Sequence, residues 1–309
     1  MRKLRYIPII ALTALLSSCD LFGGNKMKAP SFAKEGDEVK YSEFKEKLQQ
    51  AAQDCEFSDE ESLLGDRVEK VSTSQSEVRN WKRGKKEIEK SDEQRTSKGE
   101  SQYDYDNLVA KATTESKVTT KSSSQTGSDS STSTYNTETY FQFDKISGTK
   151  YLIQADAKRM VYSGAISVSG KQTEEDVFDN LVRSDISVIY SYFMYSIPSE
   201  QLAKEYLFHV NGDTLFTFSL DTDEDVENNA NYVHHTSTKL KAQLDLTNKK
   251  EVFRYSYEYK EEYTYNRDYD VYQEDDVVTV ETKAYAEYTV NAKSVTVKPV
   301  SLENYTLNN

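Results

Sequence analysis

The segment YLFHVNGDTLFTF, residues 206–218, carries the clearest fold signal in this chain of 309 residues. Two apolar-rich segments flank Asn211-Gly212, and an Asn-Gly pair between such segments is the strongest short-range indication of a β-hairpin. Similar strand patterns continue towards the C-terminus, over residues 238–246, 251–259, 263–272, 277–290 and 294–297. We therefore expect the second half of the chain to form an antiparallel sheet.

The strand pattern extends upstream with less apolar character. Residues 140–143 and 150–155 flank Ser147-Gly148 and predict another hairpin. Before them, the segment 113–139 holds 17 Ser or Thr in 27 residues. Such a composition fits either a mobile loop or two polar strands joined near Gly127-Ser128. The alternation of Thr, Lys and Ser favours the strands.

Two segments show the periodicity of amphipathic helices. Over residues 38–54, apolar side chains recur every three or four positions, beginning with Tyr41, Phe44 and Leu48. The segment Thr173–Asp176 resembles a capping box, and Pro198 marks the end of the helix that it would start. The apolar stripe of this second helix comprises Phe178, Leu181, Val182, Ile186, Ile189, Tyr190 and Phe193. Residues 56–102 are highly charged and predict either a second short helix or a pair of strands.

These elements predict an α+β fold with a single domain over residues 37–309. An amphipathic sheet needs its apolar face covered, and two or three helices packed on one face would do so. We therefore expect a curved antiparallel β-sheet, or half-barrel, with the helices on its concave side.

The N-terminal residues indicate export. Arg2, Lys3 and Arg5 precede ten uncharged residues, a run too short to span a bilayer but typical of a signal peptide. The run ends in Leu16-Ser-Ser-Cys19, which resembles the lipobox of bacterial lipoprotein precursors. The resemblance implies a signal peptide over 1–18, lipidation of Cys19, and an extracytoplasmic protein anchored to the cell membrane by lipid. An ordinary cleaved signal with a coincidental cysteine is the alternative. Residues 19–36 predict a flexible tether.

The order of helices and strands resembles that of LolA-like and LppX-like lipoproteins, which carry lipids or acyl chains. This resemblance implies a non-enzymatic protein that binds a lipid or another apolar ligand between the second helix and the tyrosine-bearing strands. The residues expected to line that space are Tyr255, Tyr257, Tyr259, Phe178, Ile189 and Phe193. The tyrosines could instead fill half-buried sheet positions. The functional alternative is a structural or adhesin-like surface lipoprotein without a small-molecule site.

Composition and motifs exclude other classes of function. The formal charge of −13 argues against a nucleic-acid partner. Cys19 and Cys55 are the two cysteines, so multi-cysteine metal sites are excluded. The acidic segment after Asp221 begins like a calcium loop but has Val226 where the motif needs glycine, so we expect an acidic loop between strands. We expect no metal and no cofactor, and since no catalytic motif is present, no enzymatic activity.

Overall fold

A computed structural model describes residues 28–54, 66–147, 150–157, 160–167, 189–246 and 250–298. These residues form one antiparallel sheet of 12 strands in the order β1-β8-β9-β10-β11-β12-β2-β3-β4-β5-β6-β7. Most strands pair with their neighbours in sequence, and the pairing of β12 with β2 joins the two halves of the chain. The predicted antiparallel β-sheet is confirmed.

Most of the strands are unusually long, and along the chain they form an N-terminal and a C-terminal group. The N-terminal group comprises β1 (Asp37–Val39), β2 (Arg67–Arg83), β3 (Lys86–Asp104), β4 (Val109–Ser124), β5 (Gly127–Ser147), β6 (Lys150–Ala157) and β7 (Met160–Ser167). The C-terminal group comprises β8 (Leu207–Asn211), β9 (Leu215–Asn228), β10 (Tyr232–Asp245), β11 (Lys250–Tyr265) and β12 (Asp276–Ala292). At about 3.4 Å per residue, the 17 residues of β2 span roughly 55 Å.

Within the described residues, three helices accompany the sheet: α1 (Tyr41–Asp54), α2 (Ile189–Ser196) and α3 (Glu200–Ala203). The apolar stripe of α1 faces the sheet, since Phe44, Leu48 and Ala51 are all buried. The Tyr41 hydroxyl donates a hydrogen bond to the Pro198 carbonyl, which ties α1 to the connection between α2 and α3. The helix predicted over 38–54 is therefore confirmed, with a start at Tyr41.

The hydrophobic core lies between these helices and one end of the sheet. We call this end, which contains Asp245 and Lys250, the base, and we call the face that bears Phe253 the helix side. Aromatic rings fill the space between the helices and the strands: the Phe193 centroid lies 5.5 Å from that of Phe218 and 6.0 Å from that of Phe253. Phe44 packs edge-on against Phe216 at 5.8 Å.

Beyond the core, the long strands continue as a sheet with polar residues on both faces. We call the end that contains Tyr232 and Arg83 the distal end. Side chains along β2 to β5 pair with each other across and along the strands, as in the Ser97–Ser116 hydrogen bond of 2.9 Å and the Arg95–Glu93 ion pair of 2.6 Å. Long charged side chains lying on the sheet keep their charged groups in water while their stems cover the backbone. The sheet is therefore built without helices covering this region in the described part of the chain.

The predicted α+β half-barrel is wrong. The described part of residues 56–102, for which a short helix was one alternative, belongs to the β2–β3 hairpin. The Ser/Thr-rich segment forms the predicted polar strands, with Ser124 opposite Gly127. The acidic segment after Asp221 lies within β9 and is not a loop. The helices that the structure describes cover only the base of the sheet, since most strands have no apolar face to bury. The start of the predicted second helix, including Phe178, lies outside the described residues.

Candidate functional site

The distal end of the sheet holds a group of aromatic side chains that we call the distal aromatic cluster. It comprises Trp81, Tyr232, His234, Tyr263, Tyr265, Tyr269 and Tyr272. Pairing is in register between β10, β11 and β12, so residues at even spacing from Phe253 along β11 share the helix side. Tyr263 and Tyr265 therefore lie on the same face as the core, beyond the end of the helices.

Ring contacts join the cluster across four strands and the loop that connects β11 to β12. The Tyr265 and Tyr272 rings stack with centroids 4.4 Å apart, and Trp81 meets Tyr272 edge-on at 5.1 Å. On the other side, Tyr232 contacts Tyr265 at 6.0 Å and Tyr269 at 6.2 Å. Such offset and edge-on pairs add about 0.5–1.5 kcal/mol each beyond the burial of their area. The rings consequently hold one another in place.

Asp276 anchors the cluster from beneath. Its buried carboxylate accepts hydrogen bonds from Trp81 Nε1 at 2.9 Å and from the Gln273 backbone N–H at 2.9 Å. Arg83 donates from Nε and Nη2 to the two carboxylate oxygens at 2.8 and 2.9 Å, which is a bidentate pair. These bonds, those from Arg83 foremost, lower the pKa of Asp276 to about 2. Asp276 is therefore ionised at neutral pH and fixes the indole of Trp81.

The β11–β12 loop presents the most exposed members of this region. Tyr269 and Tyr272 exchange two backbone hydrogen bonds of 3.0 and 3.1 Å, which closes a tight turn over Asp270 and Val271. Asp270 has φ of 58°, in the left-handed region that Asp tolerates better than most residues. The turn leaves Tyr269 47% and Val271 60% exposed. An aromatic and an aliphatic side chain are thus held in water on a braced turn.

Carboxylates surround the exposed part of the cluster. Within residues 266–276, Asp268, Asp270, Glu274 and Asp275 are exposed, and Arg267 bonds to Asn231 Oδ1. The Tyr232 hydroxyl donates to Glu227 at 3.1 Å, and this bond raises its pKa. Burial, above all, raises the pKa of Tyr265 to about 12. These phenols stay neutral at physiological pH, so the cluster combines hydrogen-bond donors, aromatic faces and negative charge.

The adjacent histidines lie on opposite faces of the sheet, as expected for neighbours in a strand. The His234 ring stacks on Tyr263 at 4.2 Å on the helix side. His235 lies between Asp225 and Asp223, with nitrogen–oxygen distances of 2.9 and 2.6 Å, and hydrogen bonds to these carboxylates raise its pKa. Within the described residues, no three metal-ligating side chains converge on a possible metal position.

The residues predicted to line an apolar ligand site belong to the packed core or to its margin. Tyr255 and Tyr257 are 2% and 8% exposed, and Tyr259 packs against the core from a half-buried position. Phe193 is fully buried, and the backbone of Ile189 begins α2. The interpretation that the tyrosines fill sheet positions therefore describes Tyr255 and Tyr257. Phe178 and Cys19 lie outside the described residues.

A hollow of about 680 Å³ lies elsewhere, on the open sheet between β2 and β5. Its walls include Lys70, Lys98, Glu100 and Thr114, and it forms where Gly99 has no side chain beside Val71. Lys70 and Glu100 form an ion pair of 2.7 Å there. Its lining residues include none from α2 and none of those predicted to line an apolar ligand site, so the hollow does not match that prediction.

Comparison with known proteins gives no family for this chain. No protein-family model matches it, and no curated protein matches its sequence. Solved structures that resemble the chain weakly include the outer membrane protease OmpT from Escherichia coli, with 5% identity, 75% of this chain and 98% of that chain covered, and a TM-score of 0.22. For the translocator domain of the autotransporter NalP from Neisseria meningitidis, the identity is 9%, the coverage 80% of this chain and 94% of that chain, and the TM-score 0.17. For the beta domain of the Bordetella autotransporter BrkA, the identity is 7%, the coverage 74% of this chain and 99% of that chain, and the TM-score 0.12. TM-scores this low carry no argument about the fold or activity of this chain.

The expected function, binding of a lipid or another apolar ligand between the second helix and the sheet, is wrong because packed side chains fill that space. Phe193, Phe218 and Phe253 occupy the space that such a ligand would need. Among the described residues, no helix has the length and apolar character to cross a membrane.

Sequence reasoning found part of the distal aromatic cluster and missed the rest. Seven tyrosines lie between Tyr255 and Tyr272, and this concentration is the local signal for the cluster, although the residues selected from the sequence, Tyr255, Tyr257 and Tyr259, lie outside it. Trp81 was missed because it reaches the cluster through the β2–β12 pairing, which places it opposite Val278. Val78 and Trp81 are three residues apart, which is a helical spacing, so the local pattern did not indicate a strand there.

Proposed function

We propose that this chain is attached to a membrane through a lipid on Cys19 and that its distal aromatic cluster binds a protein partner away from that membrane. The proposal assigns the chain a binding role without catalysis. The observation that carries it is the braced turn that holds Tyr269 and Val271 exposed in water.

The position of the N-terminal segment supports an orientation in which the base lies nearer the membrane than the distal aromatic cluster. Ala33 exchanges two hydrogen bonds with the Gln243 side chain, and Glu35 pairs with Lys241 at 2.5 Å, both towards the base. Cys19 lies fourteen residues before Ala33, a reach of at most about 50 Å. A lipid on Cys19 would therefore keep the base near the membrane and the cluster roughly 55 Å beyond the base.

The chemistry of the cluster suits a protein partner. Aromatic residues are enriched at protein interfaces, where buried Tyr and Trp side chains supply much of the binding energy. The cluster is held by Asp276 and by ring stacking before any partner arrives, so little conformational entropy remains to be lost on binding. The surrounding carboxylates favour a partner surface that carries positive charge.

Site-specific photo-crosslinking tests the proposal. We expect a photoreactive phenylalanine analogue at position 269 to form a covalent adduct with another protein in the cells that make this chain. The matched control is position 135, because Tyr135 is 45% exposed on β5 and Tyr269 is 47% exposed at the cluster. An adduct at 269 that is absent at 135 supports the proposal. Equal crosslinking at both positions, or none at 269, contradicts it.

A further inference from the structure

Strand β9 leaves part of its edge without a partner strand. It runs from Leu215 to Asn228, whereas its outer neighbour β8 has five residues and pairs only with Leu215–Ser219. On the other side, β10 pairs with nearly the whole length of β9. Among the described strands, none pairs with the outer side of residues 220–228. We call this segment the free β9 edge. Its backbone groups offer hydrogen bonds to an added strand.

The side chains of the free β9 edge are acidic and point to both sides of the sheet. Asp221, Asp223 and Asp225 alternate on the face opposite the helices, with side-chain exposures of 69%, 73% and 58%. Glu224 and Glu227 are also exposed. The pairing with β10 shifts between His234 and His235, so Val226 is an extra residue that bulges from the strand and is 55% exposed.

We propose that the free β9 edge accepts an extended basic segment of another protein by β-strand addition. Main-chain hydrogen bonds to an open edge supply affinity in this mode of recognition, and alternate side chains supply specificity. Carboxylates at every second position, about 6.8 Å apart, match Lys or Arg at every second position of the added strand. The same carboxylates repel the free β9 edge of a second copy of this chain, which excludes self-pairing through this edge.

Charged residues on a strand edge also prevent unspecific pairing with other strands. If the carboxylates had only this protective role, a basic peptide would bind loosely through charge, without ordered hydrogen bonds, and amide exchange would not slow. An edge that accepts a strand gives slower amide exchange within residues 220–228. The free β9 edge meets the distal aromatic cluster at Glu227, which accepts the Tyr232 hydrogen bond. The proposal does not rest on the function proposed for the cluster, because it uses the backbone of residues 220–228 and not Tyr269.

The test uses the full chain and a short peptide in which lysine alternates with valine. We expect binding, together with amide exchange of residues 220–228 slowed by about tenfold or more. A peptide of the same sequence, N-methylated at alternate residues, keeps its charge but loses the backbone donors on one edge, and we expect it to bind about tenfold more weakly or not at all.

Charge variants complete the test. The combined change Asp221→Asn, Asp223→Asn and Asp225→Asn is expected to weaken peptide binding by about tenfold. The matched control is Glu89→Gln, Glu115→Gln and Asp129→Asn, which removes three exposed carboxylates from β3, β4 and β5 and should leave binding unchanged. Equal binding of the N-methylated peptide, unchanged exchange in 220–228, or no binding at about 1 mM peptide overturns the proposal.

Discussion

Replacement of Phe193 by alanine is expected to lower the free energy of unfolding by about 3–5 kcal/mol, the usual cost of truncating a buried phenylalanine. Phe193 has no exposed surface and contacts the rings of Phe44, Phe218 and Phe253. Alanine would leave a cavity in the only region where helices cover the described sheet. Denaturant unfolding monitored by circular dichroism measures the change.

Tyr195→Ala is the matched control for this prediction. Tyr195 lies two residues further along α2 and is 77% exposed, so its removal should change the free energy of unfolding by less than about 0.5 kcal/mol. If the Phe193 variant lost no more stability than this control, the space between α2 and the sheet would not be a packed core. The conclusion that packed side chains fill the expected ligand site would then be wrong.

Replacement of Cys19 by serine is expected to move the protein almost completely from the membrane fraction to the soluble fraction. Each buried CH₂ of an acyl chain contributes about 0.8 kcal/mol to membrane binding, so loss of two or three chains removes the anchor. Processing at the lipobox would also remove three positive charges and take the net charge from −13 to −16. An anionic bilayer therefore does not attract the mature chain electrostatically. Fractionation of cells followed by immunoblotting measures the shift.

Cys55→Ser provides the control for the anchor, since it removes the other cysteine and leaves the lipobox intact. This variant should remain with the membranes. Retention of the Cys19→Ser protein in the membrane pellet after processing would show that something other than a lipid on Cys19 holds the chain there.

Local patterns predicted the elements whose neighbours in space are also neighbours in sequence. The hairpin at Asn211-Gly212 forms with Asn211 opposite Leu215, and Gly212 has φ of 59°, which glycine adopts without strain. The stripe of Phe44 and Leu48 predicted α1 because an amphipathic helix shows its buried face in its own periodicity. The alternation of Tyr255 and Tyr257 correctly placed both on one face of β11.

The extent of the sheet could not be predicted in this way. Segments such as β3 carry polar residues on both faces, so they lack the two-residue apolar period that marks a strand. Their register is fixed by cross-strand pairs such as Thr120–Ser131 and by hairpin turns, which leave little trace in composition. The expectation that helices must cover the sheet failed for the same reason, because a face without apolar residues needs no cover.

The candidate site was visible only in part because it depends on one long-range pairing. Tyr263, Tyr265, Tyr269 and Tyr272 lie within ten residues, so their proximity is visible in the sequence. Trp81 and Arg83 join them through Asp276, which is 195 residues from Trp81 in sequence. No local pattern reports a contact over that distance, and the loop geometry at Asp270 is equally absent from the sequence.

Emission from Trp81 tests the central claim, that the distal aromatic cluster faces away from the membrane. Trp81 is the only tryptophan in the sequence, so fluorescence excited at wavelengths that tyrosine does not absorb reports the cluster alone. The lipidated full-length protein would be placed in phospholipid vesicles with brominated or ordinary acyl chains, since bromine quenches tryptophan only at contact range. Acrylamide in the aqueous phase is the positive control, because Trp81 is only partly buried. We expect acrylamide to quench the emission and brominated lipid to leave it unchanged; quenching by brominated lipid would place the cluster in the bilayer and contradict the account.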